Sequence, residues 1–205
     1  MIATSYSLLE TRTTTGRFDP NFSLDDGTIA ELVRLATRAP SAFHFQNWSF
    51  LAVRSQKAKD LLVELAFGQR QVRDAAVTYI ICGGLKAHEQ LRERLQPSVD
   101  AGIINSSLQR TWVDMATRSH EDNALLQRDE AIRSASLTAM ALMVAARELD
   151  LDSGALGGFD HEGVRQTFNL TPEEIPVILV TVGRAARGNW LQKIRRPVGD
   201  LLSFY

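Results

Sequence analysis

Cysteine is nearly missing from this chain. Cys82 is the one thiol in 205 residues, so no intramolecular disulfide can form and a cysteine-rich zinc site is excluded. It lies inside an apolar run, which suits a buried structural thiol and not an activated nucleophile. An excess of charge is missing too. The 23 Lys and Arg stand against 24 Asp and Glu, for a formal net charge of −1, and nothing global draws the protein to nucleic acid or to an anionic membrane surface. No apolar run approaches the roughly 20 residues needed to span a bilayer. Met1 to Arg12 has no apolar signal core, and the expectation is a cytoplasmic protein. Pro/Gly/Ser-rich tracts, long blocks of like charge and repeats of solenoid period are also absent. With 44% hydrophobic residues, the chain reads as one domain, 1–205, able to bury a proper core.

Familiar catalytic signatures are equally scarce. His88, His120 and His161 have no close ligand spacing, and there is no serine nucleophile elbow. Neither a phosphate-cradling Gly-x-x-x-x-Gly-Lys nor a dinucleotide-binding glycine signature is present.

What is there begins with a short helix over Ser5 to Thr11 and a polar turn, Arg12 to Asp19. Ser23 and Asp26 form a capping-box-like start to a helix whose apolar face is Ile29, Leu32, Val33 and Ala36. Pro40 stops it and leaves Ala39 as its last helical position. A strand follows at once through Trp48, Phe50 and Leu51-Ala52-Val53, so the intervening Ser41, His44 and Gln46 would turn polar groups into a crevice at a sheet edge. Ser55 can cap a further helix carrying Leu61, Leu62, Leu65 and Ala66, and Gly68 to Gln71 breaks it. Near-continuous apolar runs at Ala75 to Gly83 and Pro176 to Gly183 suggest strands covered on both faces by helices, in a layered mixture of helix and sheet.

Between Asp129 and Leu149 the chain is Ala-rich and apolar almost all round, as a buried helix is. Its small residues permit close helix approach, either within the core or across a dimer interface. The more polar stretch Lys86 to Asn123 reads as one or two helices and includes Trp112 and Met115. Gly154 to Asp160 reads as a turn that can carry positive backbone dihedrals and let a ligand approach the backbone. Lys193, Arg195 and Arg196 suit a solvated face, yet such cations are also what a phosphate dianion needs. Arg12, with Thr13 and Thr14 beside it, is a second such place, with hydroxyl donors.

Five motifs then occur in one order: Arg12-x-Thr14-x-Gly16-x-Phe18, Ala39-Pro-Ser-x-x-His-x-Gln-x-Trp48, Ala66-Phe-Gly-Gln-x-Gln-Val72, Gly157-Gly-Phe-Asp160 and Lys193-x-Arg195-x-Pro197. In that order the chain resembles the FMN-dependent nitroreductase family from Arg12 to Pro197. The resemblance implies an α+β fold of three α/β/α layers, with a mainly antiparallel central sheet. It also implies a homodimer with FMN at the subunit interface. Carried over by position, Arg12, Lys193 and Arg195 would hold the FMN phosphate, with Thr13 and Thr14 beside them. Pro40, Ser41, Ala42 and His44 would wall the flavin from the other subunit, Gln71 would reach the polar edge of its ring, and Gly157 and Gly158 would bring backbone amides toward N5.

The chain departs from the family pattern at four places. Gly16 stands where relatives often have Arg or Lys, so a cation is missing unless Arg17 swings in. His44 replaces a usual Asn, Asn47 a frequent Pro, and Gly68 an Asn of some members. The implied activity is ping-pong transfer of hydride from NAD(P)H through the flavin to a nitroaromatic or quinone, with no metal and no side-chain nucleophile. An enal or enone acceptor, or a non-catalytic flavin-binding or sensor protein, are the alternatives.

Overall fold

A computed structural model describes residues 4–205; Met1–Ala3, at the head of the stretch read for a signal core, lie outside the described residues. The elements run α1 (Thr4–Thr11), α2 (Asp26–Ala36), β1 (Trp48–Val53), α3 (Gln56–Leu65), α4 (Arg70–Asp74), β2 (Val77–Gly84), α5 (Leu91–Asp100), α6 (Ser106–His120), α7 (Ala124–Glu148), β3 (Asp152–Leu156), α8 (His161–Thr167) and β4 (Glu174–Gly183). The strands form one sheet in the order β1-β2-β4-β3, antiparallel at every pairing. No helix among the described residues is long and apolar enough to cross a membrane.

Strand alternation sends successive side chains to opposite faces, and here both faces are covered. Val77, Tyr79 and Ile81 of β2 join Val180 and Val182 of β4 in one cluster under α2 and α7. Ile80 and Cys82 join Leu179, Leu156 and Val53 in a second cluster, under α3, α4 and α8. The result is a three-layer α+β protein, as the two apolar runs imply. Burial pushes the Cys82 thiol up to about 12, so this cysteine is the inert structural thiol expected. Tyr79 donates its hydroxyl to the Ile29 carbonyl at 3.0 Å, which pins α2 to the sheet.

The buried helix expected over Asp129 to Leu149 is α7, in which Ala131, Ala135 and Ala139 let it lie close on the sheet. Its other side leaves Leu137 43% and Met140 36% exposed. The polar stretch from Lys86 folds into α5 and α6, which close a third cluster around Phe45, Leu91, Leu95 and Ala116.

Four expectations need correction. α2 is capped by Asp25, which accepts from the Thr28 amide at 2.8 Å, and not by Ser23 with Asp26. It ends at Ala36, three residues before the position set by Pro40, because Thr37–Ala39 wind into tighter turns. Gly154 to Asp160 is not all turn, since Asp152–Leu156 pairs with β4. Gly157 and Gly158 do not have positive φ; the positive-φ glycines are Gly68, Gly102 and Gly188.

Candidate functional site

The Arg12 turn is laid down between two edges. The Thr15 amide donates to the Ser153 carbonyl of β3 at 2.9 Å, and Phe18 forms an isolated antiparallel bridge with Ala185 beyond β4. Gly154 permits this crossing, because a Cβ there would sit 2.4 Å from the Thr15 carbonyl oxygen. The chain beyond β4 then folds back along the turn. Asn189 accepts from the amides of Gly16 at 2.8 Å and Arg17 at 2.9 Å, and donates to the carbonyls of Arg17 at 2.8 Å and Ala186 at 2.9 Å. Gln192 donates to the Arg12 carbonyl at 3.3 Å, across 180 residues of sequence.

Two adjoining cavities result. The smaller, of 70 Å³, is lined by Thr13, Thr14, Trp190, Lys193 and Arg195. The larger, of 350 Å³, shares Thr14, Trp190 and Lys193 with it and adds Gly16, Arg17 and Gln71. Lys193 holds its ammonium 4.7 Å from the centre of the Trp190 ring. Among the described residues, no carboxylate forms an ion pair with Arg12, Arg17, Lys193 or Arg195. Cations gathered without a counter-charge form an anion site, and the smaller cavity suits a phosphate in size and in donors.

The structure thus brings together Thr13, Thr14, Gln71, Lys193 and Arg195. Arg12 is adjacent, but its guanidinium donates to the Thr13 carbonyl at 3.3 Å and does not line either cavity. The break expected over Gly68 to Gln71 is only partly a break, since Gln71 lies on α4. Gln69, which stands in the third motif without an assigned role, donates to the Gly158 carbonyl at 2.7 Å and so ties the Gly157-Gly158 loop to the start of α4. Both glycines are exposed, and among the described residues their amides have no acceptor. They remain donors for a ligand, and the donor set as a whole fits a phosphorylated flavin.

Pro40, Ser41, Ala42 and His44 line neither cavity. They lie on the turn before β1, an edge strand, as the sequence implies. Phe43, His44 and Gln46 have φ of 50°, 64° and 47°, in the left-handed region. Each such residue costs roughly 1–2 kcal/mol. The surroundings hold the turn there. The Ser41 hydroxyl accepts from the Gln46 amide at 2.9 Å, Arg94 donates to the Phe45 carbonyl, and buried Phe45 meets His120 edge-on at 5.1 Å. His44 itself is exposed.

The fold stacks His88 on His120 with ring centres 6.1 Å apart, whereas His161 packs on Phe159 and donates from Nδ1 to the Pro176 carbonyl at 2.7 Å. Two imidazoles are too few, and among the described residues no group of three or more His, Cys, Asp or Glu could hold a metal ion.

Known proteins share this architecture. "Putative NAD(P)H nitroreductase YodC" of Bacillus subtilis is 31% identical over 180 residues, covering 88% of this chain and 89% of that protein. The "CLA biosynthesis enone reductase" of Lactiplantibacillus plantarum is 27% identical over 178 residues, covering 83% and 81%. Among solved structures, the nitroreductase ydfN of Bacillus subtilis, described as putative, superposes with a TM-score of 0.93 at 26% identity over 100% of both chains. A nitroreductase of Exiguobacterium sibiricum in complex with FMN, also described as putative, has the same fold, with a TM-score of 0.90 at 24% identity over 100% and 99%. The model of the nitroreductase family matches residues 9–184, from the end of α1 to just past β4, and the chain belongs to that family.

Proposed function

We propose that the chain, as one unit over 1–205, is an FMN-dependent NAD(P)H oxidoreductase acting on electron-poor small molecules. One observation carries the reading: the unpaired cations Lys193 and Arg195 meet the Thr13 and Thr14 hydroxyls, from the other end of the chain, at a phosphate-sized cavity that shares lining residues with one of 350 Å³. Lys193 and Arg195, with the Thr13 and Thr14 hydroxyls, hold the phosphate, and Arg12 lies beside them. Gln71 faces the ring from α4, while the free amides of Gly157 and Gly158 supply donors along its edge. The chemistry FMN supplies when bound is two-electron, ping-pong transfer through N5, from NAD(P)H to an acceptor such as a nitroaromatic or quinone.

A second copy completes the site. The Pro40 to His44 turn lines neither of the two adjoining cavities, which fits a wall supplied by a partner in a homodimer. Exposed apolar groups support that assembly: Leu137 and Met140 on α7, and Leu191, Ile194 and Phe204 beyond β4, the last three 89% exposed or more. The likeness to the L. plantarum enone reductase favours enones as a second acceptor class.

Flavin absorbance that persists through gel filtration, bleaches with NADPH or NADH and recovers with a quinone or an enone is the expected result. The choice of acceptor separates the two classes. Bound flavin that neither nicotinamide bleaches would indicate a non-catalytic binding protein. A colourless protein that takes up no added FMN would end the proposal.

A further inference from the structure

We propose that Arg17 is a flavin-positioning residue that acts on the ring system and not on the phosphate. This rests on the flavin reading above. Arg17 lines the larger cavity with Thr14, Gln71 and Lys193, and is absent from the smaller one that holds Arg195. Three hydrogen bonds fix its backbone: its amide donates to Asn189 at 2.9 Å, and its carbonyl accepts from Asn189 at 2.8 Å and from the Ala186 amide at 2.9 Å. Its guanidinium lies over Gly188, where a Cβ would sit 2.9 Å from Nη1 and where φ is +89°. A side chain at 188 would therefore be strained and would push the guanidinium off its seat.

Position 16 cannot supply this charge. Gly16 has no side chain, and a Cβ there would come 3.3 Å from the Gln71 amide oxygen. A side chain at 16 would make the Gln71 amide give by a few tenths of an ångström, whereas Arg17 reaches the cavity from the next position. Arg17 and Lys193 are then the two cations on the wall of the larger cavity. Among the described residues neither is paired with an acid. A positive charge on that wall favours electron density added to a bound ring. The guanidinium also supplies a planar set of donors, which an ammonium does not.

The test compares wild type with Arg17→Gln, Arg17→Lys and Gly188→Ala, titrating each with FMN and with riboflavin and measuring the reduction potential of the bound flavin. Arg17→Gln should weaken both flavins about tenfold, the loss of one charge-assisted contact, and should make the potential more negative. Gly188→Ala should shift both in the same direction with the charge count unchanged. Arg17→Lys should keep the potential near wild type while losing part of the affinity. Arg17→Lys, with thermal melts of each apo form, keeps the test valid if Gly188→Ala does not fold. Wild-type affinities and potential in Arg17→Gln would overturn the proposal, as would a loss confined to FMN, which would place Arg17 on the phosphate. If wild type itself binds neither flavin, the parent reading fails and this one falls with it.

Discussion

Arg195→Ala isolates the phosphate half of the cleft. Arg195 is exposed, and its hydrogen bond within the chain, from Nη1 to the Lys193 carbonyl at 2.9 Å, ties only its own neighbourhood. Surface changes of this kind move folding stability by about 0.5 kcal/mol or less. Its removal should cost binding far more. A hydrogen bond to a charged group contributes about 1.5–3 kcal/mol, so the FMN dissociation constant should rise about 10- to 150-fold. The assay is quenching of flavin fluorescence on titration into apoprotein, run beside a thermal melt. Riboflavin, which lacks the phosphate, is the control and should bind wild type and variant alike. The FMN loss should also shrink as salt is raised, because exposed charges are screened over about 10 Å at 0.1 M. Unchanged FMN affinity, or equal losses for FMN and riboflavin, would refute the assignment of Arg195 to the phosphate.

Other predictions concern the supports of the site. Asn189→Ala removes four hydrogen bonds to backbone, together about 2 kcal/mol or more of local order at the low end for each bond. Amide exchange at Gly16 and Arg17 should quicken and FMN binding weaken, with little change in melting; unaltered protection of those two amides would contradict the clamp. His44→Gly relieves a left-handed φ of 64°, partly offset by a more flexible unfolded chain, for a net gain of up to about 1 kcal/mol in apoprotein stability. The same variant should bind FMN less tightly if His44 walls the flavin, and equal affinity would remove it from the site. The Glu162 carboxyl is held down to about 2, against an ordinary 4.5, by hydrogen bonds from Arg165 and Gln166. Its stabilisation is therefore present above pH 4.5 and is lost as the pH falls toward 2. Glu162→Gln should flatten that part of the acid unfolding curve, and an NMR titration midpoint near 4.5 in wild type would show that the carboxylate is not so held.

The parts of the fold visible in the sequence were those set by local chemistry. β2 and β4 announce themselves as apolar runs because both their faces are buried, and Ser55 caps α3 by accepting from the Ala58 amide at 3.3 Å. β3 was hidden. Asp152-Ser-Gly-Ala-Leu has little strand propensity, and its glycine answers to the Thr15 backbone crossing it, which is a tertiary demand. The α2 cap was misplaced by one or two residues because Ser23, Asp25 and Asp26 are all competent caps and only the packing of Ile29 and Leu32 selects among them. In the site, motif order located Thr14, Gln71, Lys193 and Arg195, but not Asn189, and it gave Gln69 no role. Their roles are contacts to backbone carbonyls and amides distant in sequence, and no spacing records those. A Gly-Asn pair just past an apolar run was the available signal, and it reads as an ordinary turn.

The Asn189 clamp also bears on the order in which the protein matures. Every strand and helix of the two main clusters is complete by Gly183, so the sheet and its covering helices can pack without the segment beyond it. The cleft cannot, because three Asn189 hydrogen bonds to the Arg12 turn, and with them Lys193 and Arg195, come only with that segment. A chain whose core has packed therefore still lacks its cation-lined cleft until the segment beyond Gly183 folds back over the Arg12 turn.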